Sequence, residues 1–85
     1  MIEILYFTAS WCVPCKNLKP TLDSIFKKYP NISRKLIDID QYPHLANTSL
    51  VKGVPTVIFK KNGIEINRVV GAMPLSHYEH IINSL

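Results

Sequence analysis

The sequence predicts a small α/β protein in which a four-stranded mixed sheet carries helices on both faces. Residues 2–8 are β-branched and aromatic and mostly apolar on both faces, which is typical of a strand buried on both sides of a sheet. A helical pattern and a second strand pattern follow, which predicts a β-α-β unit with parallel strands and a right-handed crossover. Further on, Asn62-Gly63 between two strand-like segments predicts an antiparallel hairpin.

The first helix is predicted from apolar residues that share one helical face. These residues are Leu18, Leu22, Ile25, Phe26 and Tyr29. Pro20 lies inside the pattern and predicts a kink, because proline removes a backbone hydrogen bond and clashes with the preceding turn. Pro30 marks the end of the helix, since the residue before a proline disfavours the helical conformation.

A second strand and a short helix come next. Residues 33–39 contain the apolar Leu36, Ile37 and Ile39 and predict the strand that completes the β-α-β unit. A short helix is predicted after Pro43. Its apolar residues are Leu45, Ala46 and Leu50.

The hairpin and a last helix complete the order β-α-β-α-β-β-α. Residues 55–60 and 64–70 predict the two strands of the hairpin. The segment from Ser76 to Glu79 has the pattern of a capping box, which marks the start of a helix. The buried stripe of that helix is expected to be Tyr78, Ile81, Ile82 and Leu85.

Composition limits the classes of protein. At 85 residues, 47% apolar and 19% charged, the chain is expected to form one domain over residues 1–85. Its longest apolar run, residues 4–7, is far shorter than the roughly 20 residues that cross a bilayer, and no basic segment precedes it. We expect no membrane partner, no signal peptide and a cytoplasmic location. The net charge of +4 comes from scattered basic residues, which argues against a nucleic-acid partner.

Cys12 and Cys15, the two cysteines of the chain, are the candidates for chemistry. A disulfide that closes so short a loop stabilises a fold little by chain entropy. A zinc site needs four ligands, and the chain adds only His44, His77 and His80 to this pair. A redox-active dithiol without a metal is therefore the better interpretation.

The position of Cys12, between the first strand and the first long helix, also favours redox chemistry. The free N–H groups and the dipole at a helix N-terminus favour a thiolate, which is the nucleophile of disulfide exchange. Cys12 would attack a substrate disulfide, and Cys15, one turn further on, would resolve the mixed disulfide and release reduced substrate. Pro14 lacks an N–H, which an early helix position tolerates, and it stiffens the loop.

The residues around this pair resemble the active-site segment of thioredoxins. Residues 8–16 read Thr-Ala-Ser-Trp-Cys-Val-Pro-Cys-Lys, whereas the usual spacer of the family is Gly-Pro. Lys16 and Pro20 also match the family. Further matches extend over nearly the whole chain, in residues 39–41, 43, 53–56, 60, 62–63 and 70–72. This combination is far more specific than a Cys-x-x-Cys pair alone.

The resemblance implies a thioredoxin fold and a general protein disulfide reductase. Pro55 would be cis and face the two sulfurs, and Val54 would offer its backbone N–H and C=O to an extended substrate segment. Lys16 and Pro20 would support the site. The implied substrate-binding residues are Trp11, Val13, Pro14, Val54, Pro55, Gly71 and Ala72.

The resemblance also implies partners and an electron source. The partners would be disulfide-containing proteins and thioredoxin reductase, with reducing equivalents from NADPH, no bound cofactor, and a monomeric protein. Glutathione is the alternative electron donor, as in a glutaredoxin. A redoxin dedicated to ribonucleotide reductase is a further possibility, and a non-catalytic binding subunit with the same fold is a more remote one. Replacement of both cysteines by serine would preserve a binding role and abolish exchange chemistry.

Three features depart from the family pattern. Thioredoxins usually begin with another strand and helix, whereas this sequence opens on the active-site strand, as glutaredoxins and the short thioredoxins of archaea and phages do. Tyr6 stands where the family usually has a buried acid, and Leu36 stands where a lysine normally neighbours that acid. Water or another route must then accept the proton of the resolving cysteine, and the pH dependence of turnover should differ.

Two lysines suggest a hypothesis about partner choice. Lys16 is next to the helix start and Lys52 precedes the Pro55 loop, so both could surround the site with positive charge. That charge would attract acidic partners and favour the thiolate. Two ordinary solvated lysines fit the sequence equally well.

The spacer predicts the reduction potential. Val13 replaces the usual glycine. Spacer residues alter the reduction potential because they change how well the loop stabilises the thiolate of Cys12. We expect a potential between about −270 and −200 mV, the range from thioredoxin to glutaredoxins, on equilibration with defined glutathione ratios. A value near about −120 mV would identify an oxidant and contradict the reductase hypothesis.

Overall fold

Seven elements follow one another in the computed structural model, which describes residues 1–85. Their order is the predicted one, and no helix is long and apolar enough to cross a membrane. The elements are β1 (Ile2–Thr8), α1 (Val13–Lys28), β2 (Ser33–Asp38), α2 (Pro43–Thr48), β3 (Thr56–Lys61), β4 (Ile64–Val70) and α3 (Leu75–Asn83).

The sheet has the strand order β2-β1-β3-β4. β1 is parallel to β2 and antiparallel to β3, and β3 is antiparallel to β4, so both predicted pairings are confirmed. Thr56 pairs with Phe7 on one side and with Val70 on the other. The end of β1, the start of β3 and the end of β4 therefore meet at one edge of the sheet.

The core lies in two layers, one on each face of the sheet, which confirms the predicted α/β class. The first, the α1 layer, contains Ile4 and Tyr6 of β1 together with buried residues of α1 and α3. The second, the α2 layer, consists of five buried residues: Leu5, Phe7, Ile37, Ala46 and Ile58. Successive residues of β1 alternate between the two layers, as a strand buried on both faces requires.

Helix α1 is continuous through Pro20. Its buried residues include Leu18, Leu22 and Ile25 of the predicted face. It ends at Lys28, and the N–H of Tyr29 donates to the C=O of Ile25. The helix packs its buried face into the α1 layer and carries the cysteine pair at its N-terminus.

Two local predictions were wrong. Helix α3 begins at Leu75, and Pro74 is its N-cap with extended backbone angles and no side-chain cap, so Ser76 lies inside the helix. Glu79 forms an ion pair with Lys28 of α1 at 2.5 Å and does not close a capping box. Leu50 lies beyond the end of α2 in a left-handed conformation, with φ of 57°, and its side chain is exposed.

Tyr78 generates a prediction about stability at high pH. Its side chain is fully buried, and its hydroxyl accepts a hydrogen bond from the Met73 N–H at 3.1 Å. Burial raises the pKa of Tyr78 above the ordinary value. The folded form therefore holds the phenol proton more tightly than the unfolded form. This contribution to stability is complete below the unfolded pKa of about 10 and is lost as pH rises through the folded value.

We expect Tyr78→Phe to lower the free energy of unfolding by about 1 kcal/mol at neutral pH, because the Met73 N–H loses its acceptor. Above about pH 10 the gap between the two proteins should shrink, since only the wild-type tyrosine ionises on unfolding. Urea unfolding across this pH range measures the gap. A gap that is the same at neutral and high pH would contradict the ionisation argument.

Candidate active site

The two cysteines lie at the N-terminus of α1 and form a disulfide. Cys12 is the N-cap residue in an extended conformation, and its Sγ accepts a hydrogen bond from the Cys15 N–H at 3.2 Å. Both cysteines are buried, whereas Val13 and Pro14 between them are exposed. The first turn of α1 has no acidic residue, so nothing there opposes a thiolate on Cys12. The spacer is thus the accessible surface over a buried sulfur pair.

Trp11, which directly precedes Cys12, is held by a hydrogen bond to a carboxylate. Its side chain is 62% exposed, and its indole Nε1–H donates to a carboxylate oxygen of Asp40 at 2.8 Å. Asp40 follows the end of β2, and its own N–H donates to Asp38 Oδ1 at 2.8 Å. The Trp11–Asp40 contact fixes the orientation of an exposed aromatic ring.

Sequence reasoning matched Asp40 to a family segment but assigned it no role. The sequence did contain a signal that Asp40 lies near the cysteines. Asp40 follows a strand predicted to be parallel to β1, and the C-terminal ends of parallel strands lie at the same edge of a sheet.

A second loop reaches the same edge of the sheet. The Val54–Pro55 peptide bond is cis, as the resemblance implies. The C=O of Pro55 accepts a hydrogen bond from the Gly71 N–H at 2.8 Å, and Gly71 has φ of 91°, which favours glycine. The N–H and C=O of Val54 make no hydrogen bond within the chain. One residue of this loop thus keeps both backbone groups available to another chain.

The strand register brings most of the predicted site residues together. The turn that holds Trp11 to Cys15 follows β1, the Val54–Pro55 loop precedes β3, and Gly71 and Ala72 follow β4. These three segments meet where Thr56 pairs with both neighbouring strands. Ala72 is exposed, and Val54 is half-buried and packs against the α1 layer that contains both cysteines.

The remaining predicted residues lie further from the sulfurs or on the surface. Pro20 is exposed, about two turns along α1 from the cysteine pair. Lys16 and Lys52 are exposed and make no ion pair. No three His, Cys, Asp or Glu side chains are grouped where they could hold a metal ion.

Tyr6 lies directly beneath the redox pair. Its side chain is buried, and its hydroxyl donates a hydrogen bond to the C=O of Cys15 at 2.6 Å. Burial raises the pKa of Tyr6, so the phenol is neutral at physiological pH. Leu36, which pairs with Tyr6 in the sheet, is exposed. A neutral donor therefore ties the first turn of α1 to β1, a contact that the sequence alone did not predict.

We expect Tyr6→Phe to destabilise the oxidised protein by about 1–2 kcal/mol, because a buried hydroxyl–carbonyl bond is lost. Tyr29→Phe is the matched control, since the Tyr29 hydroxyl reaches Asn83 only at 3.4 Å and near solvent. That control should change the free energy of unfolding by less than about 0.5 kcal/mol. Urea unfolding of the oxidised proteins makes the comparison. Equal losses in the two variants would show that the Tyr6 contact contributes nothing specific.

Comparison with known proteins gives a consistent result. The family model described as thioredoxin matches residues 2–84. Thioredoxin-2 of Saccharomyces cerevisiae is 33% identical over 84 residues, covering 99% of this chain and 81% of that protein. Thioredoxin H5 of Oryza sativa is 41% identical over 68 residues, covering 80% of this chain. This chain spans only 50% of that rice protein, and about half of several other plant relatives.

A solved structure extends the likeness to three dimensions. The oxidised form of mitochondrial thioredoxin 3 from Saccharomyces cerevisiae superposes with a TM-score of 0.91 at 31% identity. The match covers 99% of this chain and 78% of that one. The sequence match, the shared sheet and the disulfide at the start of α1 agree with one another. The chain therefore belongs to the thioredoxin family.

Proposed function

We propose that this protein is a dithiol–disulfide oxidoreductase that reduces disulfides in other proteins. The observation that carries the proposal is the Cys12–Cys15 disulfide at the N-cap of α1, beneath an exposed Val13-Pro14 spacer. A dithiol that forms and breaks this bond exchanges two electrons with a substrate without a bound cofactor.

The positions of the two sulfurs support an order of catalytic steps. Cys12 attacks, because the helix N-terminus and the Cys15 N–H stabilise negative charge on its Sγ. The substrate disulfide breaks, one substrate sulfur leaves as a thiolate, and the other stays bonded to Cys12. Cys15 then attacks Cys12 Sγ, which releases the second substrate thiolate and restores the intramolecular disulfide. The second role is assigned to Cys15 because it is buried one turn inside the helix, behind Cys12.

The substrate binds across the surface formed by three loops. Val54 has a free N–H and C=O, which would pair with an extended segment as an added strand. Trp11 and the spacer residues Val13 and Pro14 form the apolar wall, and Gly71 and Ala72 form the opposite side. Hydrogen bonds to the substrate backbone depend little on the substrate's amino-acid sequence. This surface therefore suits many protein disulfides and fits a general reductase.

The electron source completes the proposal. The protein receives reducing equivalents from NADPH through a thioredoxin reductase, and glutathione is the competing donor. Lys16 and Lys52 favour acidic surfaces on the partners by adding positive charge near the site. The cytoplasm is the proposed compartment, because its low redox potential keeps such a dithiol reduced.

We expect the protein to couple NADPH oxidation to insulin reduction when thioredoxin reductase is supplied. A parallel reaction supplies glutathione and glutathione reductase instead. Cys12→Ser should reduce the rate to background in both reactions, because it removes the attacking sulfur. Cys15→Ser should stop after one step and accumulate a mixed disulfide, which mass spectrometry of the intact adduct detects.

The outcomes separate the hypotheses. Activity with thioredoxin reductase alone supports the proposal, and activity with glutathione alone would identify a glutaredoxin-type donor. If insulin is not reduced in either reaction, and dithiothreitol-reduced protein also fails to transfer electrons to it, the reductase function is wrong. A binding subunit would then be the remaining hypothesis.

A further inference from the structure

A cleft open to solvent lies behind the redox pair, between the first turns of α1 and the end of β2. Its volume is about 190 Å³, and its lining includes Tyr6, Thr8, Cys15, Lys16, Lys19 and Asp38. Since water in the liquid occupies about 30 Å³ per molecule, a cleft of this size has room for several waters. Solvent in the cleft therefore lies next to Cys15, although the Cys15 side chain itself is almost fully buried.

The sheet register places Asp38 on the same face as this cleft. Asp38 pairs with Thr8 of β1. The neighbouring Ile37 packs in the α2 layer, so Asp38 points to the other face, where α1 lies. Asp38 therefore faces the side of the sheet where Tyr6 meets Cys15.

Resolution of the mixed disulfide requires Cys15 to lose a proton, because only the thiolate attacks a disulfide. Tyr6 cannot accept this proton, since its hydroxyl already donates to the Cys15 C=O and the phenol is neutral. Lys16 and Lys19 are ammonium groups with no acceptor. Asp38 is the one carboxylate that lines the cleft.

One carboxylate oxygen of Asp38 accepts backbone hydrogen bonds, and the other has no hydrogen-bond partner in the chain. Oδ1 accepts hydrogen bonds from the Asp40 N–H at 2.8 Å and from the Gln41 N–H at 3.4 Å. Oδ2 has no donor within the chain. The bonded oxygen fixes the orientation of the carboxylate, and the free oxygen can accept a hydrogen bond from water in the cleft.

We propose that Asp38 accepts, through water in the cleft, the proton that Cys15 loses when it resolves the mixed disulfide. The inference rests on the proposed oxidoreductase function. In this step the S–H bond of Cys15 breaks, and its proton passes through water to Asp38. The Cys15 sulfur bonds to Cys12 Sγ, the bond from Cys12 to the substrate sulfur breaks, and the substrate leaves as a thiolate. Two electrons pass from the dithiol to the substrate.

The charged and titratable groups around this route come from all the elements packed there. α1 supplies Cys12, Lys16 and Lys19, and β1 supplies Tyr6. Tyr78 of α3 acts on Tyr6 by Coulomb repulsion when ionised, which is relevant only at high pH. The two lysines favour negative charge in the cleft, whether it is on Asp38 or on Cys15.

A single-turnover reaction with 5,5′-dithiobis(2-nitrobenzoate) tests the inference. Attack by Cys12 releases the first thionitrobenzoate at a rate that depends on reagent concentration. Resolution by Cys15 releases the second at a rate that does not. We expect Asp38→Asn to slow the second release about 100-fold near neutral pH, the lower end for a positioned general base, and to leave the first unchanged. The difference should shrink as pH rises, because a growing fraction of the Cys15 thiol then ionises without a base.

Matched variants separate proton transfer from structure. Asn retains the Oδ1 acceptor, so the turn to Asp40 is kept, and Asp38→Glu keeps the carboxylate and should retain most of the rate. Glu65→Gln makes the same change of charge on β4, at the sheet edge opposite β2 and outside the cleft, and should leave both releases unchanged. Circular dichroism checks that each variant is folded.

Three results would overturn the inference. They are an unchanged second release in Asp38→Asn, a faster one, and a slowing that is the same at every pH. A faster release would mean that the carboxylate acts only as a repelling charge. A wild-type protein that releases no second thionitrobenzoate would instead contradict the proposed function, so the two failures are distinguishable.

Discussion

The pairing of β1 on both sides is the constraint on which the rest of the structure depends. β1 is hydrogen-bonded to β2 and to β3, and its side chains enter both core layers. Its last residue leads directly into the turn before Cys12, so the strand sets the place of the redox pair. A slip of one residue would exchange the two faces of the strand and move Tyr6 from beneath Cys15 into the opposite layer. The same register aligns the cis-proline loop with the cysteine turn.

Local patterns were sufficient to predict the fold where one signal dominates. The hairpin at Asn62-Gly63 and the two-sided burial of β1 are of this kind, because turn geometry and strand period are properties of adjacent residues. The start of α3 is different. The capping-box pattern at Ser76 competes with Pro74, which fixes an extended backbone one residue before the helix, and with an ion pair that holds Glu79 against α1. That ion pair joins residues far apart in the chain, and one sequence carries no signal for it.

The same distinction applies to the candidate site. The placement of Cys12 at a helix N-terminus follows from local order, whereas the partners of nearby side chains do not. Trp11 bonds to a carboxylate 29 residues away, and Tyr6 to a carbonyl nine residues away, on another element. The sequence showed that Tyr6 replaces an acid, but only the fold shows that its hydroxyl is a donor to Cys15. The site thus combines a neutral hydroxyl that donates to the Cys15 C=O with a carboxylate, Asp38, in the cleft to one side.

The outer position of β2 and β4 in the sheet has a consequence for aggregation. Each outer strand has one row of backbone groups that no neighbouring strand covers, and such edges can recruit strands from other molecules. Arg34 and Lys35 lie in the middle of β2, so a second copy added there would bring cations together. The ladder between β3 and β4 is irregular at Phe59 and Lys60, which interrupts a flat template on that side. Charge on one edge and irregularity on the other therefore oppose fibre growth in a protein whose sheet remains open.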